Sequence, residues 1–201
     1  YTEEDLRILL DKIKETNIEL PVNMAVGFGL RISEILGLRW QDIDFDKHVI
    51  HVRQITARVN GEVILKEPKT DSSVRDLSGP QEIFDMLKKE RKKQLQERLK
   101  GKRINEELIF FDKKGKPIGE DCISQRFRRF LKKEGLKQIR FHDLRHAHAT
   151  LLIKKNVNPK IISDRLGHSN ITTTLNIYAH TLKEMDREAG EKIAESLYDA
   201  K

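Results

Sequence analysis

The sequence predicts a mainly α fold with a small three-stranded antiparallel sheet, arranged as a single domain over residues 1–201. Three observations favour this fold. Apolar residues recur through most of the chain at the three- and four-residue spacing of amphipathic helices. Short alternating runs typical of strands occur between residues 49 and 77. No linker, repeat or low-complexity stretch divides the chain, which is long enough to bury a sizeable core.

Two helices are expected before the sheet. Thr2, with an aspartate three residues later, is typical of a capped helix start, and this helix should run to about Thr16. The second helix is expected over residues 21–38 and carries Arg31 in its later half. Glu34 lies one turn further along the same face, where its carboxylate can accept a hydrogen bond from Arg31. Taken alone, this pair is typical of an ordinary surface ion pair.

The sheet is predicted from three short strands and two turns. The predicted strands cover residues 49–52, 62–65 and 74–77. Asn60-Gly61, between the first two, is a signal for a tight hairpin. The second turn carries Lys69, and a single loop lysine is, on its own, simply a solvated side chain.

Three helices are expected after the sheet, over residues 80–99, 120–133 and 141–155. The last of them carries an apolar stripe of leucine and isoleucine. Because residues three and four apart share a helix face, His142, Arg145 and His146 should point the same way.

The chain then continues through two further short helices and a tail. Pro159 suits the first turn of a helix, and Gly167 is typical of a C-terminal cap, so a short helix should lie between them. His168 follows the cap, and a Thr-rich helix carries Tyr178. A separate tail helix is expected over residues 182–197.

Composition favours an intracellular protein with a polyanionic partner. The single cysteine, Cys122, excludes an internal disulfide. No run of 18 or more apolar residues and no signal peptide is recognisable. The formal net charge is +7, which suits a nucleic acid or another polyanion.

The positive charge is concentrated in two segments. Residues 88–103 contain nine Lys or Arg and two Glu, a surplus equal to that of the whole chain, and a second basic cluster lies near residue 128. A run of this kind is either a solvated helix face or a surface that contacts DNA phosphates without reading sequence. The candidates for phosphate contact are Lys88, Lys89, Arg91, Lys92, Lys93, Arg128 and Arg129.

Three interpretations of the stretch from residue 142 to residue 180 compete. His142 and His146 have the spacing of zinc ligands, but Asp143 stands where a zinc hydrolase has a glutamate base, and no third ligand is specified. In the second interpretation, Arg145 binds two phosphate oxygens and Tyr178 attacks the phosphorus. The third is a helical core with incidental polar residues.

Five sequence elements resemble the tyrosine recombinases, the phage and conjugative-transposon integrase family. The C-terminal elements are HDLRHAHAT (residues 142–150), LGHS (166–169) and NIYAH (176–180). The upstream element is Gly-Leu-Arg-Ile-Ser-Glu at residues 29–34. Members of the family have a hairpin lysine between the upstream and C-terminal elements, and Pro68-Lys69-Thr70 matches it. The elements follow the order of the family over nearly the whole chain.

The resemblance implies that the chain cleaves and rejoins DNA strands with no metal, nucleotide or other cofactor. Tyr178 would attack the scissile phosphate to form a 3′-phosphotyrosyl link, which conserves the energy needed for rejoining. Arg31 and Arg145 would stabilise the charge of the transition state. Lys69 would protonate the leaving 5′-oxygen.

The remaining residues of the matched boxes would support this chemistry. His168 would donate a hydrogen bond to the phosphate, and His142 would act as a donor or a proton-transfer partner. Glu34 would orient the other groups. The roles of His146, His148 and His180 are left unassigned or structural.

The resemblance also implies partners and an assembly. We expect double-stranded DNA, a homo-oligomer that is a tetramer on DNA, an accessory DNA-bending or excision factor, and a cytoplasmic location. Residues 181–201 would form a tail helix that docks on a neighbouring subunit. The chain should be the C-terminal part of a longer protein whose DNA-binding region precedes it. The alternatives are a type IB topoisomerase-like enzyme and a catalytically inactive DNA-binding module.

Overall fold

The computed structural model describes residues 1–68, 70–102 and 104–198. The helices are α1 (Glu3–Lys12), α2 (Glu19–Phe28), α3 (Ile32–Gly37), α4 (Gln81–Leu99), α5 (Glu120–Lys133), α6 (Asp143–Lys154), α7 (Pro159–Leu166) and α8 (Ile171–Tyr198). The strands are β1 (Ile43–Asp44), β2 (Val49–Val52), β3 (Ile55–Val59), β4 (Glu62–Lys66) and β5 (Arg75–Ser78). The fold is therefore mainly α with a small antiparallel sheet, which confirms the predicted class.

The first helix begins at its predicted cap, but the second predicted helix is broken in two. The Thr2 side chain accepts from the Asp5 N–H at 3.1 Å, and the Asp5 carboxylate accepts from the Thr2 N–H at 2.8 Å. The prediction of one helix over residues 21–38 is wrong, because Gly29 adopts φ +68° and ends α2. A Cβ at Gly29 would lie 2.6 Å from the His148 ring, so the break also permits a close approach by α6.

The sheet region contains two sheets, and the predicted strand pairing is wrong in part. Strands β1, β2 and β5 form a three-stranded antiparallel sheet, in which Ile50 pairs with Leu77. The hairpin at Asn60-Gly61 joins β4 to β3, a strand that was not predicted, in a separate two-stranded sheet. The hairpin signal was correct, but it fixes only the local partner of β4 and not the sheet to which that strand belongs.

The C-terminal helices form where predicted, with one difference. Pro159 lies in the first turn of α7, and Gly167 ends it at φ +62°. The Thr-rich helix and the predicted tail helix are one continuous helix, α8, which packs against α6 and α7. No glycine or proline between Tyr178 and Leu182 breaks it.

Two groups of buried apolar residues stabilise the fold. The large core includes Phe28, Phe84 and Phe127 and joins α1–α5 with the three-stranded sheet. A smaller group, which we call the minor apolar cluster, consists of Ala149, Ile153, Ile162 and Leu166. It lies between α6 and α7, and α8 covers it.

Among the described residues, no helix combines the length and the apolar character needed to cross a membrane.

Candidate active site

Four of the predicted site residues line one pocket of about 270 Å³, which we call the arginine pocket. It lies where α6, the end of α7 and the start of α8 meet the segment before α3. The lining residues are Arg31, His142, Arg145, His146, Leu166, His168, Ser169, Thr173 and Ile177. Two arginines and three histidines thus line one cavity, and no carboxylate is among the described residues that line it.

The last turn of α7 organises the arginines. The final carbonyls of a helix have no partner within the helix, and they form the negative end of its dipole. Here the carbonyls of residues 165–167 each accept from a different guanidinium group. The pairs are Arg75 with Arg165 (2.7 Å), Arg145 with Leu166, and Arg31 with Gly167 (3.2 Å).

Arg145 is the most deeply buried of the pocket arginines. Its side chain is held by the carbonyls of Gly29, at 2.7 Å, and Leu166, so the glycine break before α3 and the end of α7 fix it from two sides. The residue is only 3% exposed. Burial, followed by the charge of Arg31, lowers its pKa to about 9, which still leaves it cationic at neutral pH. A guanidinium group fixed in this position is suited to bind an anionic ligand.

Glu34 lies behind the pocket and orients Arg31. Its Oε1 accepts from the Arg31 Nη1 at 2.8 Å, and its Oε2 accepts from the Arg31 backbone N–H at 2.8 Å. Glu34 is 1% exposed, and burial alone would raise its pKa. The hydrogen bonds and charge of Arg75, together with those of Arg31, outweigh burial and lower the pKa, so Glu34 is ionised. The pair is therefore not an ordinary surface ion pair, because its carboxylate is buried.

Two of the pocket histidines, His142 and His168, have lowered pKa values and are neutral at neutral pH. Burial lowers the pKa of His168 to about 4, and the charges of Arg145 and Arg31 act in the same direction. Burial, followed by His146, lowers the pKa of His142. The two rings of His142 and His146 lie 4.9 Å apart, nearly perpendicular. The prediction that His142, Arg145 and His146 share a face is confirmed.

One predicted catalytic residue, Tyr178, does not line the pocket. Tyr178 is half-buried and packs against the minor apolar cluster, while its neighbour Ile177 lines the pocket. The Tyr178 ring is not among the lining groups. Lys69 lies outside the described residues.

Comparisons with known proteins identify the family of the chain. Residues 1–185 match the Phage integrase family. The chain belongs to that family.

The similar proteins of this family are recombinases and integrases. The chain is 30% identical to a XerC-like tyrosine recombinase of Caldanaerobacter subterraneus over an alignment of 207 positions. The alignment covers 96% of this chain and 53% of the relative. It is 31% identical to the ICEBs1 integrase of Bacillus subtilis over 199 residues, 96% of this chain and 54% of that one. The chain thus spans about half the length of these curated relatives.

Solved structures of family members share the fold. A Tn1549 transposon integrase in complex with transposon right end DNA superposes with a TM-score of 0.78 and 30% identity, covering 96% of this chain and 65% of that chain. The XerA recombinase superposes with a TM-score of 0.74 at 22% identity, covering 94% of this chain and 64% of that one, which shows the fold alone.

The predicted DNA-contact residues lie outside the arginine pocket. Lys88, Lys89, Arg91, Lys92 and Lys93 are exposed on α4, and Arg128 and Arg129 are exposed on α5. Some of them have intramolecular partners: Arg91 lies 5.7 Å from the Trp40 ring centre, and Lys93 pairs with Glu90 at 3.3 Å. Arg103, at the end of the basic run, lies outside the described residues. Phosphate contact by these groups stays a prediction.

Two residues of this region are not among the predicted site residues. His146 lines the pocket. Arg75 donates to both oxygens of Glu34 at 3.0 Å. One signal was present: in a strand, residues two apart lie on the same face, so Arg75 and the apolar Leu77 should both point inward.

The zinc interpretation has no matching geometry in the part of the chain that the structure describes. There, no three His, Cys, Asp or Glu side chains are arranged to hold a metal ion.

Proposed function

We propose that the chain is the catalytic domain of a site-specific DNA recombinase that integrates and excises a mobile element. The observation that carries the proposal is the convergence of Arg31, Arg145, His142 and His168 on one pocket. Membership of the Phage integrase family supports it, as does the DNA-bound state of the related Tn1549 integrase.

The scissile phosphate would occupy the arginine pocket. Arg145 and Arg31 present guanidinium donors there, and Arg145 keeps its charge at neutral pH because its pKa is about 9. Such preorganised donors stabilise the charge that develops on the non-bridging oxygens, and losing one costs on the order of 10²–10³ in rate.

The covalent step would form a bond between the Tyr178 oxygen and phosphorus and break the bond from phosphorus to the 5′-oxygen. The tyrosine proton passes to a base, and a neutral imidazole such as His142, whose pKa is lowered, can accept it. His168 stabilises the phosphate through its second ring nitrogen, since its Nδ1 already contacts the Thr174 hydroxyl at 2.9 Å. Lys69 protonates the leaving 5′-oxygen. The link formed is a 3′-phosphotyrosine, and no cofactor is required.

Tyr178 must move to perform this attack, since its ring packs outside the pocket. Ile177, one residue earlier, already lines the pocket. A local rearrangement of this part of α8 on DNA binding would therefore bring the tyrosine to the phosphate.

The assembly would follow from the reaction. Strand exchange between two duplexes requires four cleavages, so we propose a tetramer on double-stranded DNA, assisted by an accessory DNA-bending or excision factor, in the cytoplasm. Residues 181–201 would dock on a neighbouring subunit, and the exposed Leu182, Ile193 and Leu197 offer an apolar contact for this.

The test is covalent trapping. The purified chain is incubated in EDTA with nicked duplexes that lose a short 5′-fragment once cut and whose sequence around the nick is randomised. We expect an SDS-stable protein–DNA adduct that is absent for Tyr178→Phe. Tyr198→Phe, which changes another tyrosine of α8, is the matched control and should form the adduct. Binding of the duplexes without any adduct would favour the inactive DNA-binding module instead.

Two further outcomes separate the remaining alternatives. Relaxation of supercoiled DNA without exchange between two duplexes would favour the type IB topoisomerase-like enzyme. An adduct that forms only after zinc is restored would contradict a metal-independent reaction.

A further inference from the structure

Arg75 is a buried arginine that lies behind the arginine pocket without lining it. Its side chain is 8% exposed. Its two terminal nitrogens donate to the two oxygens of Glu34 at 3.0 Å each, and Nη1 also donates to the Ser73 carbonyl at 2.9 Å. Its Nε donates to the Arg165 carbonyl at 2.7 Å. All three nitrogens are thus used within the protein, which leaves Arg75 unsuited to bind a ligand itself.

These contacts connect Arg75 to the groups that hold the pocket. Glu34 gives one oxygen to the Arg31 guanidinium and the other to the Arg31 backbone N–H, so the carboxylate that Arg75 fixes is the one that orients Arg31. A bidentate arginine fixes both the position and the plane of a carboxylate, which a lysine does not.

Arg75 also packs directly against the end of α7. A Cβ placed on Gly167 would lie 2.9 Å from the Arg75 Nη1 and 2.9 Å from the Ser72 carbonyl oxygen. The segment from Ser72 to Arg75, which follows Lys69 in the sequence, is therefore in contact with the turn that receives Arg31 and Arg145.

We propose that Arg75 is a positioning residue for the phosphate site: it orients Arg31 through Glu34 and locks the segment after Lys69 onto the last turn of α7. This inference rests on the proposed function, because it assigns Arg75 a role in the same phosphoryl transfer. A purely structural arginine would affect stability and leave the reaction of the folded protein unchanged.

The first variant is Arg75→Lys, with Arg39→Lys as its control. Arg39 makes a similar bidentate contact with Asp42, at 2.9 Å for both pairs, at the short turn before β1. Single-turnover adduct formation is measured on the trapping duplex, at a temperature below the thermal midpoint of every variant. At saturating duplex we expect Arg75→Lys to slow adduct formation by about 10- to 100-fold, because a small displacement of a catalytic donor has an effect of this size. The duplex concentration that gives half of the maximal rate should stay unchanged, and Arg39→Lys should react at the wild-type rate.

The second measurement tests whether the effect of Arg75→Lys on the rate of adduct formation depends on Arg31. If Arg75 acts through Arg31, Arg75→Lys should lose most of its effect in an Arg31→Lys background, because the two changes then remove one shared interaction. Independent, multiplicative effects of the two substitutions would overturn the inference.

A second pair of variants covers the case in which Arg75→Lys does not fold. Gly167→Ala places a methyl group against Arg75, and Gly135→Ala adds the same methyl at a similar φ, +65° against +62°, with nothing within 4 Å. We expect slow adduct formation for Gly167→Ala only. Equal rates for these two variants would contradict the role of Arg75, whereas absence of an adduct from the wild-type chain would overturn the proposed function and this inference with it.

Discussion

The arginine pocket and the helix that carries Tyr178 differ in how firmly the fold holds them. Arg145 is 3% exposed and bonds two carbonyls, while Glu34 is 1% exposed and bonds two arginines. Tyr178, in contrast, is half-buried on a minor apolar cluster of four residues, and Leu175 and Leu182 on the same helix are each 44% exposed. The arginine pocket is thus fixed by buried hydrogen bonds, whereas Tyr178 lies on a helix with little apolar support. Under the proposed function, the phosphate-binding groups would be in place before DNA binds, and the proposed nucleophile would lie outside the pocket.

Truncation of Arg145 should have the largest effect on the reaction. Arg145→Ala removes a preorganised donor and leaves the Gly29 and Leu166 carbonyls without their partner. We expect adduct formation to fall by about 10³-fold and the free energy of unfolding to fall by about 1–3 kcal/mol. Quench-flow trapping and urea denaturation measure the two effects. Arg7→Ala, at an exposed i,i+4 pair, is the control and should change neither.

Neutralising Glu34 tests whether the charge of its buried carboxylate stabilises the folded protein around the arginine pocket. Glu34→Gln leaves Arg75, 8% exposed, without its counterion. We expect a loss of about 3–5 kcal/mol in the free energy of unfolding. Asp42→Asn makes the same change beside Arg39, which is 24% exposed, and should cost less because solvent replaces part of the lost interaction. Equal losses in urea denaturation would show that burial of the cluster is not what makes Glu34 important.

The pH dependence of stability probes the contact between α6 and the glycine break. Burial lowers the pKa of His148 to about 4 from an ordinary value of 6.5, and the charges of Arg165 and Arg145 add to this. Between these two pH values the unfolded chain binds a proton that the folded chain does not. The free energy of unfolding should therefore fall as pH falls through this window, by up to about 1.4 kcal/mol per pH unit for this one group. His168 should add to the same slope.

Denaturation at several pH values can separate these histidines. His148→Gln keeps a donor for the Val26 carbonyl and should flatten the slope between pH 4 and 6.5. Asn176→Gln, at an exposed position of α8, changes no titratable group and should leave the slope as in the wild type. An unchanged slope in His148→Gln would show that this residue is protonated in the folded protein.

The smallest of these effects should come from removing one methylene group from the minor apolar cluster or from the large core. Ile162→Val in the minor apolar cluster and Ile35→Val in the large core each remove one buried methylene, at a cost of about 0.5–1.5 kcal/mol. We expect Ile162→Val alone to speed hydrogen exchange in α7 and α8 without matching acceleration elsewhere. Uniform acceleration in both variants would show that the two regions open as one unit.

Several parts of the molecule were predictable because their causes are local. The cap at Thr2, the hairpin at Asn60-Gly61 and the end of α7 at Gly167 each depend on residues within one turn. The shared face of His142, Arg145 and His146 follows from helical periodicity alone. The recombinase chemistry proposed for this region rests on the resemblance to the family, since no single residue in this set specifies it.

The sequence by itself therefore determined the fold class, most of the helices and which chemical groups could form the site. Only the tertiary structure decided how those groups are held. It broke the helix at Gly29 to admit the His148 ring, placed Arg75 behind Glu34 and left Tyr178 outside the pocket. The physical reason is distance along the chain: the Gly29 carbonyl and its Arg145 donor are 116 residues apart, and local rules extend over only a few. Packing of distant segments, with the need to pair every buried charge, sets such contacts.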